Sequence, residues 1–208
     1  MRKCNYIDLF AGCGGLSEGF HESDFFNHLA SVEWDAKACR TLANRLNFIQ
    51  SDNEAERKVI HFDIQRVREL FNGWSGDKEY GSHEGLISLV KNQRVDLVIG
   101  GPPCQAYSLA GRVRDPHGMK NDYRNYLFES YIEVLKKFKP EAFLFENVPG
   151  ILNAKPDGFN IIDKIRKAFE DAGYLIVSDI KDRALLNLAE FGVPQKRTRV
   201  ILFGIKKA

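Results

Sequence analysis

The run Val95-Asp96-Leu97-Val98-Ile99 leads directly into Gly100-Gly101-Pro102-Pro103-Cys104-Gln105. No other stretch constrains the fold as much. The run is long enough for a buried strand and too short for a helix. Two prolines, each lacking a backbone N–H and with φ held near −65°, cannot extend a strand ladder. The two glycines before them allow a sharp, close turn. The chain must therefore leave a sheet here, in a stiff turn that presents Cys104 at the strand's carboxyl end. In open parallel sheets that end is where ligands sit. Cys104 is accordingly a candidate nucleophile. The other reading of a lone cysteine is a small buried apolar residue.

Short apolar runs of the same kind recur, alternating with amphipathic stretches. They predict strands at 6–10, 29–33, 59–62, 95–99, 142–146, 175–180 and 198–205. Helices are expected at 16–21, 36–46, 64–71, 84–91, 126–138 and 160–172. Ala38, Leu42 and Leu46 share one helical face, as do Ile161, Ile162, Ile165, Ala168 and Phe169, with Gly173 placed to end that helix. Alternation of this kind predicts an α/β fold with a mostly parallel sheet. Two segments break the pattern. Residues 72–83, rich in glycine, serine and charge, read as a surface loop or insertion. Residues 105–122 are polar, basic and aperiodic, and a loop of that length in a compact domain is usually functional or disordered.

A chain of 208 residues can bury the core of one ordinary domain. No apolar run approaches the ~20 residues that span a membrane, and Met1-Arg2-Lys3-Cys4-Asn5 opens no signal peptide, so a cytoplasmic location is expected. Four scattered cysteines without a Cys-x-x-Cys pair argue against a disulfide framework and a structural zinc site, and no metal is expected. Net charge is only +2. Its distribution says more: Arg112, Arg114, Lys120 and Arg124 follow the cysteine turn, and Lys196, Arg197 and Arg199 cluster near the end.

The first expected strand runs into Ala11-Gly12-Cys13-Gly14-Gly15. A strand, a glycine-rich turn and a helix form a nucleotide-type site, where glycine lets the backbone approach a ligand. The spacing lacks the full Gly-x-Gly-x-x-Gly pattern of a pyrophosphate site. Glu33, 21 positions after Gly12 at the end of the second strand, suits ribose hydroxyls, and Asp63 after the third suits an adenine amino group. Phe10 and Trp34, at neighbouring strand tips, could stack on adenosine. Together these suit an adenosyl ligand without a pyrophosphate. The same residues taken alone fit a tight turn with two solvated acids and two core aromatics.

Four motifs occur in order: Asp8-Leu9-Phe10-Ala11-Gly12-Cys13-Gly14-Gly15, Gly101-Pro102-Pro103-Cys104-Gln105, Glu146-Asn147-Val148 and Gln195-Lys196-Arg197-Thr198-Arg199. The set resembles the catalytic domain of the DNA cytosine-5 methyltransferases over nearly the whole chain. The resemblance implies a Rossmann-like, S-adenosylmethionine-dependent methyltransferase fold with an antiparallel last strand. It implies methylation of cytosine carbon 5 in double-stranded DNA, in a bacterial-type restriction-modification setting. By motif, Phe10, Ala11, Gly12, Gly14 and Gly15 line the cofactor site, Glu33 holds the ribose, Trp34 packs on the adenine, and Asp63 with Ile64 reads the adenine edge. Pro103 and Cys104 sit between cofactor and base. Glu146 and Arg199 hold the base, and Arg197 supports Glu146 or contacts phosphates. Asn147 orients the cysteine turn, and Gln105, Ser108 and Arg112 contact nucleic acid.

The chemistry accounts for these residue types. Cytosine C5 is a poor nucleophile until a thiolate adds to C6, which is covalent catalysis. An acid bonding N3 and the exocyclic amine favours that addition. A base inside a duplex must first be flipped out. Arg197 and Arg199, two apart on an expected strand, should face one side.

Family members normally continue into a target-recognition region and a returning segment. The expectation is therefore that residues 1–208 are the catalytic domain, with recognition in a missing C-terminal region or a second chain, so that the chain alone binds cofactor weakly and methylates poorly or, as the catalytic subunit of a split enzyme, is inactive without its partner. The 41 positions from Asp63 to Cys104 exceed those of compact members, consistent with an insertion at 72–83. A tRNA cytosine-5 methyltransferase, a non-catalytic DNA-binding subunit and a nucleotide-dependent oxidoreductase are the rival readings.

Overall fold

A computed structural model of the chain describes residues 2–103, 127–155 and 158–207. Cys104, Gln105, Ser108, Arg112 and the rest of the expected 105–122 loop lie outside the described residues. Two compact units are present. The first runs to Gly100 and includes Lys137–Glu141; the second takes the other described residues from Gly101 onward.

The first unit carries β1 (Cys4–Leu9), β2 (Phe26–Glu33), β3 (Val59–His61), β4 (Trp74–Asp77), β5 (Gly81–His83) and β6 (Leu97–Gly100). Four of these lie side by side in the order β3-β2-β1-β6, all parallel. Tyr6, Ile7, Leu9, Val98 and Ile99 are fully buried, as parallel strands covered on both faces require. The chain winds outward from β1 to β3 and then returns to place β6 on β1's other side. That reversal is the topological switch point, beyond whose strand ends ligands bind in such sheets.

Helix Ala36–Gln50 starts where the Asp35 carboxylate accepts the Ala38 N–H at 2.7 Å. Its Cys39, Leu42, Ala43 and Leu46 form one core cluster with Ala11, Ala55 and Val59. Each buried leucine there contributes ~1.5–3 kcal/mol. The helix runs four residues past its expected end, through the exposed Phe48 and Ile49, which the apolar periodicity does not register.

Residues 72–83 are not a loop. They hold the antiparallel hairpin β4–β5, with Trp74 opposite His83 and Asp77 opposite Gly81. Its polar composition hides it: one stacked cross-strand pair, Trp74 on His83, is joined by contacts from outside the hairpin. Trp74 stacks on Phe62 of the main core at 3.8 Å, and Arg66 pairs with both Glu69 and Asp77.

The second unit carries β7 (Ala142–Asn147), β8 (Tyr174–Ile176), β9 (Leu185–Asn187) and β10 (Thr198–Lys206). β10 runs antiparallel to β7, β8 and β9, the antiparallel last strand of the expected fold. The strand expected at 175–180 is shorter than its apolar run: after Ile176 the chain turns into helix Ile180–Arg183, capped by the Asp179 side chain. β9 carries no period of its own and forms by pairing with β10. Helix Ile161–Asp171 brings Phe169 onto Phe143 at 4.1 Å, and Tyr131 and Phe145 close the aromatic cluster. No helix among the described residues is long and apolar enough to cross a membrane.

Candidate active site

The glycine turn and the strand-end acids lie in the first unit. β1 gives way to a turn in which Phe10, Gly12 and Gly14 all have positive φ, at 57°, 54° and 88°. Glycine adopts that region freely; Phe10 does so at a cost of order 1–3 kcal/mol. A Cβ on Gly14 would lie 2.6 Å from Leu42 Cδ1, so glycine lets the turn sit on the helix. Space around the Cβ position of Gly12 is open.

Glu33 ties this turn to the end of β2. Its Oε2 accepts the Gly12 N–H at 2.8 Å, and its Oε1 accepts the Trp34 and Asp35 N–H groups at 2.8 and 2.9 Å. Three of about four acceptor positions of the buried carboxylate are thereby filled by backbone, leaving one on Oε2. Trp34 is 61% exposed. Asp63 uses Oδ1 to accept the Gln65 N–H at 3.0 Å, and Ile64 beside it is buried. Ala11 is buried and Gly15 exposed.

Asp8 was not among the expected site residues. It lies two positions before the turn, fully buried, and neither carboxyl oxygen has a hydrogen-bond partner. Burial pushes its carboxyl up to about 7; nearby Ser17 tempers this and the Glu33 charge adds to it. The Ser17 hydroxyl is donated to Gly14 O at 3.2 Å and leaves Asp8 unsatisfied. A lone acid inside an otherwise apolar strand was the available signal. An orphaned buried carboxyl, further acids at the strand ends and an exposed indole fit a cationic adenosyl ligand. The acids at the strand ends would repel a pyrophosphate.

Gly101, Pro102, Pro103, Glu146, Asn147 and Arg199 lie in the second unit. Pro102 is buried, and its carbonyl accepts Nδ2 of buried Asn147 at 3.2 Å. Asn147 Oδ1 accepts the Val148 N–H at 2.9 Å. One side chain thus ties the Gly-Pro-Pro turn to the end of β7. A Cβ on Gly101 would stand 2.9 Å from Glu146 Oε2, so glycine makes room for that carboxylate. Glu146 Oε1 meets Arg199 Nε at 2.8 Å, both side chains being largely but not wholly covered. β10 sets this pair by its register, Ile201 opposite Glu146 and Val200 opposite Asn147. Arg199 also donates to Thr198 O at 2.8 Å. Pro103 is half-buried.

Arg197 lies one residue before β10, which begins at Thr198. Its side chain is exposed, its carbonyl accepts the Leu188 N–H at 2.8 Å, and the ion pair of Glu146 is with Arg199. A partly buried carboxylate held by a guanidinium offers adjacent acceptor and donor groups in one place, a match for the amine, ring nitrogen and carbonyl edge of cytosine.

The parallel strands with their switch point, the glycine turn held by a strand-end acid and the antiparallel closing strand define a class, the S-adenosylmethionine-dependent methyltransferase fold. Within it the chain matches the C-5 cytosine-specific DNA methylase family over residues 4–208, and it belongs to that family. It is 41% identical to the type II methyltransferase M.Bpa9945I of Bacillus paralicheniformis, over 97% of this chain and 53% of the relative. With M1.HphI of Haemophilus parahaemolyticus it shares 33% identity over 97% of its own length and 45% of the relative's. A solved structure described as a prophage-encoded DNA modification methyltransferase of E. coli superposes with a TM-score of 0.67 at 28% identity, covering 98% of this chain and 47% of that one. The chain therefore spans about half the length of the curated relatives it matches.

Proposed function

We propose that this chain performs S-adenosylmethionine-dependent methylation of cytosine carbon 5 in duplex DNA, as part of a modification system. The observation that carries the reading is the Glu146–Arg199 pair, seated against Gly101 in the turn that leads to Cys104. S-adenosylmethionine, when bound, supplies an electrophilic methyl group. Phe10, the Gly12–Gly15 turn, Glu33, Trp34, Asp63 and Ile64 are the residues that hold it.

On an extruded cytosine, Glu146 bonds N3 and the exocyclic amine while Arg199 donates to O2. Both contacts favour electron uptake by the ring. The Cys104 thiolate adds to C6 and moves an electron pair to C5, the atom that would accept the methyl group while the donor sulfur keeps the S–CH3 bonding pair and leaves as a neutral thioether. Loss of the C5 proton and expulsion of the thiolate restore the aromatic ring. Asn147, through the Pro102 carbonyl, fixes the turn that presents Cys104. Gln105, Ser108, Arg112 and the exposed Arg197 serve as phosphate contacts, which give salt-dependent affinity without sequence preference. The relatives carry roughly as much polypeptide again outside the matched stretch, and we assign choice of the DNA sequence to polypeptide of that kind.

The test is trapping on duplex DNA containing 5-fluorocytosine, where the absent C5 proton arrests the reaction as a protein–DNA adduct. The chain is expected to form the adduct and Cys104→Ser to form none. A Cys104→Ser protein that still transferred methyl groups would overturn the covalent route. Methylation of tRNA but not duplex DNA, assayed in parallel, would replace the substrate.

A further inference from the structure

Among the described residues, hairpin β4–β5 is the part of the first unit that the reading above leaves without a role. A two-stranded hairpin alone is marginal in water, and this one is held by tertiary contacts converging on the end of β3. Trp74 stacks on Phe62 at 3.8 Å, and its indole N–H donates to Tyr80 O at 3.2 Å. The Arg66 guanidinium lies over Phe62 and Tyr80 while pairing with Glu69 and Asp77. Asp77 Oδ1 accepts the N–H groups of Glu79 and Tyr80 at 2.9 Å, which fixes the turn.

These contacts set the Tyr80 ring against Phe62 and His61, with both centroid distances 5.0 Å. His61 in turn holds the Trp34 carbonyl through Nε2 at 2.9 Å. Tyr80 thus packs on the two residues that precede Asp63 and is one residue removed from Trp34, Asp63 and Trp34 being the groups assigned to adenine. Burial raises the Tyr80 phenol, and the charges of Glu79 and Asp63 raise it further, so the phenol feels the Asp63 carboxylate. Tyr80 is half-buried, and the indole beyond it is exposed.

We infer that hairpin β4–β5 is the outer wall of the adenine end of the cofactor site, with Tyr80 closing the side next to Asp63 and steadying Trp34 through His61. This rests on the cofactor reading above. Asp63 has committed one oxygen to Gln65, so the Tyr80 oxygen is a second acceptor for a 6-amino group, and its ring is an edge for the purine. Tyr80 is a positioning residue that favours a 6-amino over a 6-oxo purine.

Calorimetric titration of the chain with S-adenosyl-L-homocysteine and with its deaminated analogue S-inosyl-L-homocysteine tests this. Tyr80→Ala should bind the first about tenfold more weakly and narrow the preference between the two that Asp63 maintains. Tyr80→Phe should narrow the preference likewise but keep most of the affinity. In the unaltered chain, amides of residues 74–83 should gain hydrogen-exchange protection on binding, which decides the matter if Tyr80→Ala does not fold. Binding by Tyr80→Ala within twofold of the unaltered chain, with hairpin exchange indifferent to ligand, overturns the wall and leaves the cofactor reading intact. An unaltered chain that binds neither compound overturns both.

Discussion

Gly101 shows how one missing methyl group shapes the site. Its Cβ position lies 2.9 Å from an oxygen of Glu146, whose other oxygen is held by Arg199. Gly101→Ala would force the carboxylate to rotate away, breaking the Arg199 geometry while touching little of the core. Methyl transfer should fall by about a hundredfold, as misplacement of a catalytic group by about 1 Å can, with unfolding free energy changed by less than about 1 kcal/mol. Single-turnover kinetics beside urea unfolding separates the two; a fully active Gly101→Ala protein would detach Glu146 from the chemistry. The sequence exposes Glu146 and Arg199 as unusual residues at strand ends. It does not expose their pairing, because the register of β7 on β10 is a long-range property.

Elements owe their ends to contacts rather than to composition. Hairpin β4–β5 is closed at its base by Gly73 and Gly85, both at positive φ and packed backbone to backbone. A side chain on Gly85 would meet the Gly73 nitrogen and the Phe71 carbonyl. Gly85→Ala should therefore cost about 2 kcal/mol or more and speed amide exchange through 74–83; exchange equal to that of the unaltered chain would show that the base can yield. In β10, Gly204 lies under the Phe143 ring, which explains a glycine inside a strand. The helix at 161–171 was legible because its apolar stripe is an intrinsic period. The hairpin was not, because its hold comes from Phe62 and Arg66, outside its own sequence.

At the scale of the whole molecule, stability should carry the signature of Asp8. The ordinary carboxyl value is 3.8, and in the folded chain it is raised to about 7. The folded state therefore holds a proton that the unfolded state releases. The stabilisation is complete below the unfolded value and is lost as pH rises through the folded one. Each unit of separation is worth about 1.4 kcal/mol, so the unaltered chain should lose a few kcal/mol relative to Asp8→Asn between pH 4 and pH 8. Urea unfolding of both proteins at several pH values measures it; parallel profiles would show that the carboxyl is not carried protonated.

The sequence by itself determined the α/β class, the strand ending at Gly-Gly-Pro-Pro and the four ordered motifs, because local stiffness and residue period act within a few positions. Tertiary structure alone decided which acid meets which arginine, that Glu33 spends most of its oxygens on backbone, that Asp8 is stranded in the core, and that a polar insertion is a bolted hairpin. Those depend on register and burial, which bring together residues as distant as Pro102 and Asn147, and no local period encodes them.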